Sequence, residues 1–210
     1  MSLNITSNTK SLILRPSSKK ELHSLITSCG HAVRTVKEEI QHQGTDVDLN
    51  HIDTSLIADM SYLFYDLDIR NIKIDRWNVS NVKYMTSMFE RCEVFDSDLS
   101  DWDTSNVTNM SMMLYGCRNF NGAGLDGWDV SNVINMNYML YGCRNFNGDL
   151  SHWDTSGVKD MSEMFYDCTK FKSDLSMWNV SNVEEHENMF DECPNMLDNP
   201  YLQPKFPKLI

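Results

Sequence analysis

Five of the six cysteines, Cys92, Cys117, Cys143, Cys168 and Cys193, recur at intervals of 25, 26, 25 and 25 residues. Thiols at fixed spacing could pair as disulfides, bind a metal or serve as nucleophiles. The company they keep argues otherwise. Each stands once per period among Met and Phe, with no Cys-x-x-Cys or His-x-x-x-His pairing to build a metal site. A free cysteine in such surroundings packs as a small hydrophobe. These five are therefore read as a core ladder. Cys29 lies outside the series; a reactive thiol and a thiol buried against the first repeat are both open readings.

Serine and aspartate recur as well. Ser80, Ser105, Ser131, Ser156 and Ser181 form one column. A serine nucleophile needs a histidine base beside it, and the six histidines (23, 31, 42, 51, 152, 186) share no column. No nucleophile, base and oxyanion set can be assembled, so no catalytic residue is expected. Asp98, Asp149 and Asp174 form a second column, and Asp103, Asp129 and Asp154 a third. Stacked carboxylates could bind calcium, which takes 6–8 oxygens, or could cap turns by accepting from the backbone. Asn replaces Asp at Asn78 and Asn179 and no strict calcium-loop spacing occurs, so neither metal nor cofactor is expected. Asn81, Asn106, Asn132 and Asn182, with Gly157 as the gap, make an asparagine column. Their amides are expected to be buried, bonding backbone groups of the turn.

One further set could act by contact. Met112, Tyr115, Arg118, Tyr138, Tyr141, Arg144 and Tyr166 fall off the apolar face of their repeats and can line up as one stripe. Tyr and Arg are enriched at binding hot spots. The stripe is the candidate protein-binding surface; rings simply laid over the neighbouring repeat fit the same pattern.

What positions these columns is the period itself. Trp77, Trp102, Trp128, Trp153 and Trp178 are spaced like the cysteines, and "YGCRNFNG" occurs at both 115–122 and 141–148. A period in the 20–50 range marks a stacked-repeat architecture. Counting from Trp102 as zero, Val107, Met110, Met113, Leu114, Cys117 and Phe120 occupy offsets 5, 8, 11, 12, 15 and 18. Offsets 8, 11, 12 and 15 make one face of a short helix, with Asn109 or Asp160 as N-cap. The closing Leu-x-x-Trp segment, as in "DLSDWDTS", is expected to be a short strand. The expected fold is a single α/β, leucine-rich-repeat-like solenoid of six 25–26-residue coils, each a short strand plus a short helix. The array covers residues 48–199, its first coil carrying Ile52 for Trp and Leu67 for Cys.

Stacks need capped ends. Residues 1–17 are read as a flexible N-terminus. Residues 18–47 are read as a helical cap: Ser18 to Glu21 forms a capping box, and Leu22, Leu25, Ile26, Cys29, Val33, Val36 and Ile40 follow at helical spacing. Residues 200–210 are read as a proline-rich cap or tail. Charge is uneven. Residues 1–43 hold six Lys/Arg against three Asp/Glu, net +3; the rest hold 12 against 27, net -15. An acidic body repels nucleic acid and anionic lipid, so a protein partner is expected, and a monomer. No apolar run is long enough to span a bilayer, and the first 20 residues hold no apolar h-region. No signal peptide is expected, and the compartment is left open.

The consensus W-D/N-V/T-S-N-V-x-x-M-x-x-M-F/L-x-x-C-x-x-F-N-x-D-L-S, recurring over residues 48–199, resembles the 25-residue repeat first catalogued as a domain of unknown function in mycoplasma surface lipoproteins. It is also similar to repeats of BspA-like bacterial surface proteins. The resemblance implies a leucine-rich-repeat-like solenoid, adhesion or host-protein binding, and no catalytic residues. The alternatives are a structural stalk or scaffold without a specific ligand and, less in keeping with the pattern, an enzyme.

Overall fold

A computed structural model describes residues 16–22, 47–50, 52–69 and 72–207. Most of the helix proposed for 18–47, with Leu25, Ile26, Cys29, Val33, Val36 and Ile40, lies outside the described residues, as do residues 1–15. The beginning of that segment is helical over 19–22. There Ser18 Oγ accepts from the Glu21 N–H at 3.3 Å. Glu21 reaches back one residue further than expected and accepts from the Ser17 N–H at 2.9 Å. Leu22 is fully buried, and Lys19 pairs with Asp59 at 2.9 Å.

Two short strands, β1 (Val47–Asp48) and β2 (Ile72–Lys73), pair in parallel with Val47 opposite Ile72, one period apart. The same register runs through the array. Asp59, Tyr84, Asn109, Asn135, Asp160 and Glu185 form one file of parallel bridges. From that file onward each repeat donates four alternate N–H groups to the repeat that follows. Met85, Ser87, Phe89 and Arg91 donate to the carbonyls of Asn109, Ser111, Met113 and Tyr115 at 2.7–2.9 Å. Met110, Met112, Leu114 and Gly116 donate in turn to Asn135, Asn137, Met139 and Tyr141 at 2.7–3.0 Å.

Within the repeats, neither the expected helix nor the expected strand forms. Met88 N–H bonds the Met85 carbonyl and Cys92 N–H the Phe89 carbonyl, so offsets 8–15 are two successive four-residue turns. Ser87 and Arg91, third in those turns, have φ of 54° and 64°, as type II turns require. A helix would need every N–H for a carbonyl four residues back, whereas alternate N–H groups here serve the next repeat. The Leu-x-x-Trp segment is also a turn: Trp102, Trp128, Trp153 and Trp178 N–H groups bond the carbonyls of Leu99, Leu125, Leu150 and Leu175. Residues three apart at the two ends of a turn face the same way, which is why the 3-spacing places both side chains inside. Asn109 and Asp160 are not helix caps; their Oδ1 atoms accept from Ser111 and Ser162 N–H in Asx turns.

The core is a set of files. The five tryptophans are 2–5% exposed. Each donates its Nε1–H to the preceding repeat, to Leu49, Ile74, Leu99, Leu125 and Leu150 carbonyls at 2.8–3.1 Å. Trp102 and Trp128 lie parallel at 6.3 Å, and Trp153 and Trp178 at 6.1 Å. Offset 2, counted from each tryptophan or from Ile52 in the first repeat, alternates between Thr and Val. Thr54, Thr104 and Thr155 donate to the carbonyls of Asn78, Asp129 and Asn179 in the next repeat, while Val79, Val130 and Val180 pack between them. Leu67 departs from its expected role: it is 39% exposed, because no earlier repeat covers the cysteine position of the first.

The C-terminal segment closes the other end. It forms a helix at Pro194–Leu197 and a 3-10 turn at Pro200–Leu202. The Leu202 carbonyl accepts from the Leu175 N–H at 2.8 Å, taking the part the next repeat plays elsewhere. Phe206 stacks on His186 at 3.9 Å. A proline lacks a donor but not an acceptor, so a proline-rich segment can still complete this bond.

Candidate interaction surface

The outward-facing columns arise from backbone geometry. At offset 10, Tyr62, Ser87, Met112, Tyr138, Glu163 and Asn188 all have φ of 53–60°. At offset 13, Tyr65, Glu90, Tyr115, Tyr141, Tyr166 and Asp191 each follow three residues later. The structure brings the predicted tyrosines together. Tyr115 and Tyr141 stack at 4.5 Å and 7°, and Tyr141 and Tyr166 at 4.7 Å and 3°. Tyr138 tilts against Tyr115 and Tyr141 at 6.4 and 6.0 Å. All four rings and Met112 are half-buried, so packing and presentation coexist. Tyr138 donates its hydroxyl to Glu163 Oε1 at 3.0 Å, which raises its phenol pKa; burial raises that of Tyr141.

The two arginines are exposed but not free. Arg144 pairs with Asp167 at 2.8 Å, and Arg118 with Glu93 at 3.5 Å. Sequence reasoning left Glu163, Asp167 and Glu93 out of the stripe, although Glu163 and Glu93 stand one period of 25 residues from Tyr138 and Arg118 and Asp167 stands 23 residues from Arg144. The exposed pair Tyr62 and Tyr65, in ring contact at 6.1 Å, extends the same columns into the first repeat.

The asparagine column differs from expectation. Asn81, Asn106, Asn132 and Asn182 are exposed, yet each Nδ2 donates to a serine carbonyl of the preceding repeat: Ser55, Ser80, Ser105 and Ser156, at 2.7–2.8 Å. They bridge neighbouring repeats along the surface, outside the core, because the carbonyls they serve lie at its rim.

Residues suspected of chemistry are otherwise engaged. Cys92, Cys117, Cys143 and Cys168 donate their Sγ–H to the Phe64, Phe89, Leu114 and Leu140 carbonyls at 3.0–3.1 Å, and Cys193 to Cys168 at 3.1 Å. All five are free thiols and buried, and burial pushes their pKa values up, to about 12 for Cys92 and about 11 for Cys193. Such thiols are not poised as nucleophiles. Asp103 and Asp129 each accept from a serine two residues on, through both N–H and hydroxyl. Asp98, Asp149, Asp154 and Asp174 accept the corresponding serine N–H groups. These bonds hold Asp129, Asp149, Asp154 and Asp174 below the usual carboxylate pKa. Among the described residues no group of three or more His, Cys, Asp or Glu could hold a metal ion.

Comparison with known proteins adds one finding. Neither the curated proteins nor the solved structures hold a match to the chain. A family model described as "Mycoplasma protein of unknown function, DUF285" matches residues 32–125 and 116–202, which together span the whole repeat array. The chain belongs to that family.

Proposed function

We propose that the chain is a non-catalytic protein-interaction module of the BspA-like type. In this reading it is a single leucine-rich-repeat-like solenoid whose coils are runs of tight turns. It works as a bacterial adhesin or host-directed binding protein through the Tyr/Met/Arg stripe. The observation that carries the reading is the parallel stack of Tyr115, Tyr141 and Tyr166, half-exposed and flanked by ion-paired Arg118 and Arg144. A rigid aromatic file offers contact area at little entropic cost. The net -15 body favours a protein partner over nucleic acid. No helix among the described residues is long and apolar enough to cross a membrane. The test is a pull-down comparing the natural chain with a Tyr115→Ala, Tyr141→Ala, Tyr166→Ala variant. Loss of the partner from the variant is expected; undiminished capture overturns the reading.

The unbroken hydrogen-bond register favours a second reading, a stalk or scaffold without a specific ligand. It predicts a mass in light scattering that grows with concentration, and a strict monomer counts against it.

A further inference from the structure

We propose that Tyr138 and Tyr141 form an oxidation site, at which a haem peroxidase using hydrogen peroxide joins the two phenols into dityrosine while Glu163 takes a proton. The inference holds whichever partner the stripe binds. The new bond links the carbons beside the two hydroxyls and lies in the plane of both rings. Rings stacked face to face present no edge to each other, which excludes Tyr115 with Tyr141 at 7° and Tyr141 with Tyr166 at 3°. Tyr138 and Tyr141 instead stand 6.0 Å apart and are inclined by 41°, while Tyr115, tilted against Tyr138 at 6.4 Å, is the more distant neighbour. The two close one turn, with the Tyr141 N–H donating to the Tyr138 carbonyl at 3.2 Å, so both rings grow from a backbone that the ladder fixes. Both are only half-buried, and rotation about their side-chain bonds brings the edges together.

Proton transfer decides which phenol reacts first. Removing an electron from a phenol makes its O–H strongly acidic, so oxidation is easiest where a base already holds that hydrogen. Tyr138 donates its hydroxyl to Glu163 Oε1 at 3.0 Å. On the first one-electron oxidation the Tyr138 proton passes to Glu163. The second electron leaves Tyr141, whose ring lies between those of Tyr115 and Tyr166 at 4.5 and 4.7 Å, and its proton goes to water. The two radicals join carbon to carbon, and each joined carbon passes its hydrogen to its own oxygen as a proton, restoring both phenols. Hydrogen peroxide takes up the two electrons and two protons and leaves as two waters. Tyr62 and Tyr65 repeat the tilted arrangement at 6.1 Å and 58° and are 54% and 40% exposed, but the Tyr62 hydroxyl bonds no carboxylate among the described residues. They are the built-in comparison.

The test treats the dilute full chain with a haem peroxidase and hydrogen peroxide, follows the blue fluorescence of dityrosine, and maps the product by mass spectrometry. Cyanogen bromide cleaves after Met136, Met139 and Met161, which separates Tyr138 from Tyr141. Fragments 137–139 and 140–161 should emerge joined and two hydrogens lighter than their sum, before any coupling of Tyr62 to Tyr65. Tyr138→Phe and Tyr141→Phe should each abolish the joined fragment, with urea midpoints showing that both variants fold. Glu163→Gln keeps the side chain's size and removes the base, and should slow coupling about tenfold. Absence of the joined fragment overturns the proposal, as does fragment 137–139 joined to 114–136, or a product linked only between molecules. Coupling at Tyr62 and Tyr65 ahead of Tyr138 and Tyr141, or an unchanged rate in Glu163→Gln, overturns it as well.

Discussion

Gly157 interrupts the asparagine column, and the Ser131 carbonyl lacks the amide donor that its counterparts Ser55, Ser80, Ser105 and Ser156 receive. Gly157→Asn should supply it. Two favourable contributions are at work. A surface-rim hydrogen bond is worth about 0.5–1 kcal/mol. Removing glycine's freedom in the unfolded chain adds about 0.4–1 kcal/mol, since φ at Gly157 is not left-handed. One term opposes them: a Cβ would sit 3.0 Å from the Ser131 oxygen and 3.3 Å from the Val133 oxygen, so neighbours must yield by a few tenths of an ångström. The four asparagines at equivalent positions carry a Cβ, which shows that the repeat can take one. The net expectation is about 1 kcal/mol of stabilisation, or roughly 2–4 °C in Tm for a chain of this size. Gly157→Ala keeps the entropy and crowding terms and omits the amide, so urea unfolding of both variants isolates the hydrogen bond. If Asn is no more stable than Ala, the amides along this column contribute nothing by hydrogen bonding, and the account given for them is wrong.

Trp128→Phe should cost about 2–4 kcal/mol in urea unfolding, through lost volume and the loss of one of the two hydrogen bonds to the Leu99 carbonyl. Gly116→Ala meets only ordinary van der Waals contact, its nearest neighbour Arg91 Cα at 3.7 Å, and carries only left-handed strain (φ 72°), costing about 1 kcal/mol. Gly124→Ala adds overlap with Leu99 C and Ser100 Cα at 2.6 Å and should cost several-fold more on the same assay. Alkali should destabilise the chain. An unfolded thiol titrates near 9.0 while Cys92 holds its proton to about 12, so in that window the unfolded state has fewer protons and stability falls as pH rises. Urea midpoints from pH 8 to 11 should decline, and Cys92→Ala should decline less. The Asx-turn aspartates act at the opposite end: their pKa values are lowered in the fold, so their contribution holds at neutral pH and is lost as pH falls below the ordinary carboxylate value of 3.8 and through their lowered values, which urea midpoints in acid should follow.

The period, the buried files of Trp, Cys, Met and Phe, and the alignment of the tyrosines could be read from spacing and residue type, because an apolar column that repeats every 25 or 26 residues stacks on itself and shuts out water. The local conformation could not. Offsets 8, 11, 12 and 15 fit one face of a helix and equally fit the ends of consecutive four-residue turns, and hydrophobic periodicity does not separate the two. The deciding signal was weaker: Gly116, Gly142 and Asn188 stand at left-handed positions. Tyr62, Arg91, Met112 and Glu163 hide it, since they tolerate the same φ only because the ladder fixes the backbone around them. The Asx turns were legible as Asp-x-Ser or Asn-x-Ser at Asp53, Asp98 and Asn109. The exposure of the asparagine column was not, because a side chain bridging two backbones can lie on either side of the wall.

In each joint the four alternate N–H groups of the turn file point toward the C-terminus and their acceptor carbonyls toward the N-terminus, while fewer bonds, such as Lys83 N–H to the Ala58 carbonyl, run the other way. Ordinary sheets largely cancel such dipoles, whereas helices sum them. This chain sums them along its stacking direction, so the molecule has a positive and a negative pole. The positive pole is the last repeat, where the N–H groups of His186, Asn188, Phe190 and Glu192 have no hydrogen-bond acceptor among the described residues. Glu184, Glu185, Glu187, Asp191 and Glu192 gather there. At the negative pole, beside the first repeat, Lys19 lies against Asp59. The acidity of the final repeat is thus the electrostatic counterpart of a ladder whose bonds run mostly in one direction.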